Sequence, residues 1–145
     1  MNQKVFADTN IVLDLLLMRK SFYQAAAQLF SFADKKRIVV CISALTFTTV
    51  HYILLKQIGA EKARNTLAQL RTLVTILPVN NNIIDQALIS SFKDFEDAVQ
   101  YYCAVSAGIP FLLTRNIKDY QDTEISVMSV VDYLEIYKNQ PKWKK

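Results

Sequence analysis

Three short stretches of this 145-residue chain carry side chains that could do chemistry as a group. Asp8-Thr9-Asn10 follows directly on Lys4-Val5-Phe6-Ala7. Asp94, Glu96 and Asp97 fall within four residues of one another. Thr114-Arg115-Asn116, with Asp119 three residues on, follows Pro110-Phe111-Leu112-Leu113. All three stretches are rich in oxygen donors. Carboxylates a few ångströms apart raise one another's pKa, so gathering them is costly unless a cation sits among them. Mg²⁺ or Mn²⁺ meets that need, because it prefers oxygen ligands, keeps several waters and is commonly held by one or two direct carboxylates. Beside a phosphodiester such an ion polarises the phosphoryl oxygen, yields hydroxide from bound water and stabilises the leaving oxygen.

The same residues also have plainer uses. Asp94 fits a helix N-cap with Glu96 and Asp97 as first-turn acids favoured by the helix dipole. We expect Asp94 to cap, Asp97 to face the strand ends, and Glu96 to serve either as a ligand or as a solvent-facing charge. Asn10 or Thr9 would cap the first helix, and Asn10 and Asn116 could also hydrogen-bond metal-bound water. Asp14, among leucines, could pair with a lysine or line the rim from below, and a structural role is expected. His51 reads as a half-buried helix residue. Phe92, Phe95, Tyr101 and Tyr102 have a spacing that suits packing better than base stacking.

For these residues to meet, the elements must deliver them to one rim. Short apolar runs alternate with helical patterns, which argues for parallel strands joined by helical crossovers. Strands are expected at 4–7, 37–42, 74–79, 110–113 and, more weakly, 125–128. Pro78 points to a sheet edge or strand end. Helices are expected from Asn10, over 21–36, 44–57 and 60–73 with Gly59 as a stop, from Asn80–Asn82 to Phe92, over 94–108, and over 130–138, with Val130, Val131, Leu134 and Tyr137 on one face. In an open parallel sheet, sites form beyond the carboxyl ends of the strands, where the acidic stretches lie.

Composition sets the frame. The length suits one domain, taken as 1–138, with a basic tail over 139–145. Apolar residues make up 52% of the chain, enough for a core, and no run reaches the roughly 18–20 uninterrupted apolar residues of a bilayer span. No membrane association and a cytoplasmic location are expected. Cys41 and Cys103 form no metal-binding motif and read as buried thiols. Lys and Arg exceed Asp and Glu by 17 to 13, and Lys138, Lys142, Lys144 and Lys145 carry part of the excess. A receiver-like signalling domain is disfavoured, because Val79-Asn80-Asn81 offers no phosphoacceptor aspartate.

Taken in order, Asp8-Thr9-Asn10, Asp94-Phe95-Glu96-Asp97-Ala98 and Thr114-Arg115-Asn116-Ile117-Lys118-Asp119-Tyr120 resemble the motifs of PIN domains over nearly the whole chain. The resemblance implies a three-layer α/β fold with a mainly parallel sheet of about five strands flanked by helices. It further implies a Mg²⁺- or Mn²⁺-dependent endoribonuclease, the toxin of a toxin–antitoxin pair, with RNA as substrate, an antitoxin protein as partner and homodimerisation. By the same resemblance Asp8 binds metal, Asp97 binds metal or orients water, and Asp119 completes the pocket, supported by Asn10, Thr114, Asn116 and Glu96. One position departs from the pattern. The family's Ser-x-x-Thr-x-x-Glu sequence aligns with Ser43-Ala44-Leu45-Thr46-Phe47-Thr48-Thr49, so a hydroxyl stands where the glutamate belongs. A PIN domain that binds RNA or a protein without cutting is the alternative that Thr49 raises.

Overall fold

The computed structural model describes residues 2–121 and 123–140; beyond its first two positions, the expected basic tail lies outside them. The elements are β1 (Gln3–Ala7), α1 (Thr9–Leu16), α2 (Tyr23–Asp34), β2 (Ile38–Ser43), α3 (Ala44–Ile58), α4 (Ala60–Arg71), β3 (Val74–Leu77), α5 (Asn81–Ile89), α6 (Phe95–Ser106), β4 (Phe111–Leu113), a 3₁₀ turn (Ile117–Asp119), β5 (Ser126–Met128) and α7 (Val130–Lys138). The strands run in the order β3-β2-β1-β4-β5, and all four pairings are parallel. This is the expected five-stranded α/β architecture.

Alternation along the central strand builds the layers. Val5 and Ala7 join a core cluster with Ile11, Leu29, Leu54 and Leu134, from α1, α2, α3 and α7. Phe6, between them, belongs to a second cluster with Ile83 of α5 and Val99 and Ala104 of α6. Successive side chains of a strand point to opposite faces, so one β1 sequence anchors helices on both sides of the sheet. Burying each large side chain contributes about 1.5–3 kcal/mol.

Several boundaries differ from the sequence-based expectation, each for a local reason. Helix α2 is shorter than 21–36 because Ser21 and Lys36 adopt positive φ, 76° and 60°, outside the helical region. Helix α5 stops at Ile89 rather than Phe92. Ser90 turns extended there, and its hydroxyl donates to the Ala87 carbonyl at 2.8 Å and accepts from the Phe92 N–H at 3.4 Å. Strand β3 is shorter than 74–79, ending at Leu77 just before Pro78 on the sheet edge, as its proline suggests. Gly59, with φ 85°, ends α3 and opens α4, a conformation that favours glycine. On α7 the core face is Val130, Tyr133 and Leu134, at i, i+3 and i+4, whereas Val131 is exposed. Among the described residues no helix is long and apolar enough to cross a membrane.

The chain steps outward from β1 to β2 to β3, then returns to the other side of β1 for β4 and β5. The strand order therefore reverses between β1 and β4, and a crevice opens beyond their carboxyl ends, the place where open parallel sheets bind ligands.

Candidate active site

Asp8 and Thr114 are the first residues past β1 and β4, and the backbone carries them side by side. The Asp8 N–H donates to the Leu113 carbonyl at 3.1 Å, and the Thr114 N–H donates to the Met128 carbonyl at 3.0 Å. The Asp8 side chain is only 3% exposed. Its Oδ1 accepts from the Asn10 and Ile11 N–H groups at 2.8 and 3.4 Å, so Asp8, rather than Asn10 or Thr9, caps α1. Its Oδ2 accepts from the Thr114 hydroxyl at 2.6 Å. That hydroxyl itself accepts from the Asn116 N–H at 3.1 Å, which directs its hydrogen toward Asp8. Burial raises the Asp8 pKa, while these hydrogen bonds and the charge of Arg115 oppose the rise.

Asp97 comes to the same crevice from the first turn of α6. Asp94 caps that helix, as expected, accepting from the Asp97 N–H at 3.0 Å. The Asp97 carboxyl is pushed up to about 6, first by burial and then by the charges of Asp94, Asp8 and Asp119; nearby Tyr120 works the other way. The buried Tyr120 hydroxyl has no hydrogen bond of good geometry among the described residues, yet lies close enough to Asp97 to favour its charged form. Asp119 sits farther out. It is exposed on the 3₁₀ turn and lines an open cleft of about 390 Å³ with Lys93, Asp94 and Lys118. The fold thus keeps Asp94, Asp8 and Asp119 all within electrostatic reach of Asp97.

A chain of hydroxyls joins the remaining donors. Ser43, at the end of β2, caps α3 by accepting from the Thr46 N–H at 3.2 Å, and the Ser43 and Thr46 hydroxyls lie 3.2 Å apart. Thr46 meets the Thr9 hydroxyl at 3.2 Å, and that hydroxyl donates to Glu96 Oε1 at 2.9 Å. The Thr9 N–H donates to Gln100 Oε1 at 3.0 Å. Glu96 is therefore held inward and is not a free first-turn charge. Asn10 reaches the rim by its backbone bond to Asp8, whereas its side-chain oxygen accepts from Arg19 at 3.2 Å.

These groups suit a hard cation. The donors are all oxygens, and burial together with the neighbouring acids drives Asp97 upward. Among the described residues no three His, Cys, Asp or Glu side chains stand close enough to enclose an ion unaided. A cation held here keeps part of its water shell, which is the habit of Mg²⁺.

The PIN domain profile matches residues 4–118, which takes in Asp8, Asp97 and Thr114. The chain belongs to the PIN domain family. A curated relative of this PIN domain is Ribonuclease VapC1 of Aquifex aeolicus, 26% identical over 139 residues, covering 92% of this chain and 95% of that protein. Among solved structures, the DNA-bound VapBC of Salmonella typhimurium superposes with a TM-score of 0.66 at 16% identity, covering 88% of this chain and 98% of that one. VapC20 of Mycobacterium tuberculosis, a sarcin-ricin loop cleaving toxin, gives 0.61 at 23% identity over 74% of this chain and 86% of that one.

In this PIN domain Thr49 lies one turn beyond Thr46 on α3 and is half-buried. His51 is half-buried on the same helix, and Cys41 and Cys103 are buried free thiols, as expected. Phe92 packs against Tyr101, Tyr102 and Tyr120 with ring centroids 5.3, 6.2 and 5.6 Å apart, so these rings are packed on one another; Phe95 is exposed. Asp14 pairs not with a lysine but with two arginines, Arg19 and Arg115. Gln100 is absent from the sequence motifs, and Tyr120 ends the third of them with no role assigned. Neither carries a spacing signal, since their roles arise only where α6 and the 3₁₀ turn meet β1.

Proposed function

We propose that this PIN domain is a metal-dependent endoribonuclease and the toxin of a toxin–antitoxin pair. The observation that carries this reading is the buried Asp8, with both carboxylate oxygens fixed by Thr114 and the α1 N-terminus, at the point where the strand order reverses and within electrostatic reach of the half-buried Asp97. The names of the Aquifex and Mycobacterium relatives support RNA as the substrate, and the VapBC complex supports an antitoxin protein as partner. Homodimerisation is part of the same proposal.

Asp8 and Asp97 would hold Mg²⁺ or Mn²⁺, with Asp119 and Asn116 reaching it through water. When bound, such an ion supplies an activated water and neutralises charge at the phosphodiester. The protein's own groups do the positioning. Thr114 and the α1 N-terminus fix both oxygens of Asp8, and Asp97 adds its carboxylate within electrostatic reach. Glu96, whose carboxylate accepts from Thr9, would supply the acid that Thr49 does not. That role for Glu96 supports cleavage over a PIN domain that binds without cutting.

Calorimetric titration with Mn²⁺, followed by incubation with labelled RNA, tests the proposal. We expect the wild type to bind Mn²⁺ and cut, Asp8→Asn to lose binding, and Asp97→Asn to fold but not cut. Undiminished cleavage by Asp97→Asn would remove it from the site. Failure of the wild type to bind Mn²⁺ would favour the non-catalytic alternative.

A further inference from the structure

Asp14 is 1% exposed on α1, and two guanidinium groups converge on it. Arg19 Nη1 stands 3.5 Å from its Oδ1 and Arg115 Nε stands 3.2 Å from its Oδ2. One buried carboxylate neutralises one cation, so the pair leaves a positive charge in excess. Both arginine side chains stay partly open to solvent, at 32% and 29%. They are also held in place. Arg19 donates to Asn10 Oδ1 at 3.2 Å, and the Arg115 guanidinium lies 4.0 Å above the Phe22 ring. Each is one link from the candidate metal ligand: Asn10 donates its N–H to Asp8, and Thr114, next to Arg115, donates its hydroxyl to Asp8.

A buried ion pair is weak evidence of stabilisation, since apolar residues of similar volume often stabilise as well or better. Two cations on one buried acid, fixed from separate parts of the chain beside a phosphodiester-cutting centre, have a clearer use. A guanidinium presents a planar fork of donors that matches a phosphate, and preorganisation lowers the entropy lost on binding it. We propose that Arg19 and Arg115, positioned by Asp14, form a clamp for a backbone phosphate of the RNA strand next to the bond that is cut. The clamp rests on the ribonuclease reading. It contacts phosphate and not base edges, so it confers affinity and register without sequence preference.

Counterion release provides the readout. For single strands the slope of log K against log salt is roughly −0.7 per phosphate contact. The probe is a fluorescent single-stranded RNA, its binding followed by anisotropy over about 50 to 200 mM KCl, with Asp97→Asn as the non-cleaving reference. Arg19→Gln and Arg115→Gln are added singly, because each leaves Asp14 one partner and so spares the fold; the thermal transition of each variant verifies this. The expected result is a slope shallower by about 0.7 in each, with Arg115→Lys restoring the slope. Folded variants whose slopes match the reference would overturn the clamp while leaving the ribonuclease reading intact. A reference protein that binds no RNA at any salt would overturn the ribonuclease reading, and the clamp with it.

Discussion

The Thr114 hydroxyl donates to Asp8 Oδ2 at 2.6 Å, joining residues 106 positions apart across the crevice between β1 and β4. Both groups are buried, so water cannot replace the bond if it is lost. Thr114→Val, which keeps the shape, is expected to destabilise the protein by about 1.5–3 kcal/mol, the range for hydrogen bonds to charged groups. Urea denaturation measures this directly. An unchanged midpoint would mean that the bond contributes nothing in solution.

Asp8 caps a helix as well as facing the crevice, and the two roles can be separated. Asparagine caps nearly as well as aspartate, so Asp8→Asn should keep its far-UV circular dichroism while losing Mn²⁺ binding. Asp8→Ala should also lose binding, with a further stability cost of about 0.5–2 kcal/mol for the cap. Equal stability of the two variants would show that the cap is immaterial.

Asp97 sets the pH dependence. Its folded pKa of about 6 lies above the ordinary 3.8, so between these values the folded protein binds more protons than the unfolded chain. Metal-free stability should therefore fall as pH rises through this window and level off above it. Asp8, also raised, acts with the same sign. Thermal melts from about pH 4 to 7 should show the decline, and it should flatten in Asp97→Asn. Saturating Mn²⁺ should reverse it. At Mn²⁺ below saturation, cleavage should rise with pH through about 6, as Asp97 becomes charged and the ion binds. A stability that climbs across the same window would contradict the burial and repulsion assigned to Asp97.

Much of this arrangement is legible in the sequence because it follows from strand ends. Asp8 and Thr114 directly follow apolar runs that are strands, and Asp94 announces its helix by capping it. What could not be read is contact between distant side chains. Asp14 signalled that a buried charge needed a cation, yet only the folding of β4 against β1 shows that Arg115 is one of its two partners. Glu96 looked equally suited to water or to the site, and only the fold shows its carboxylate bonded to the Thr9 hydroxyl. The strand and helix ends that were misplaced, at Ser21, Lys36 and Ser90, depend on single backbone conformations that a hydrophobic pattern does not encode.

Thr49 and Glu96 form a matched test. Thr49 follows Thr46 by three residues on α3, and Thr46 touches the hydroxyl that holds Glu96. Glu96→Gln should weaken Mn²⁺ binding several-fold and slow cleavage, since affinity for hard cations rises with ligand charge. Thr49→Glu in the Glu96→Gln background should recover part of the loss. If Thr49→Glu restores nothing and Glu96→Gln costs nothing, neither residue faces the ion.

The reversal of strand order has a consequence for biosynthesis. Asp8 is made about a hundred residues before β4, the strand that completes its surroundings. Until Phe111–Leu113 pairs with β1, the Asp8 carboxylate lacks Thr114, and β1 has only one neighbour. Domains generally fold as units as they leave the ribosome, and contacts distant in sequence form late. A nascent or prematurely terminated chain that stops short of β4 therefore carries no assembled centre. The topology ties the appearance of the centre to the synthesis of β4, however early Asp8 is made.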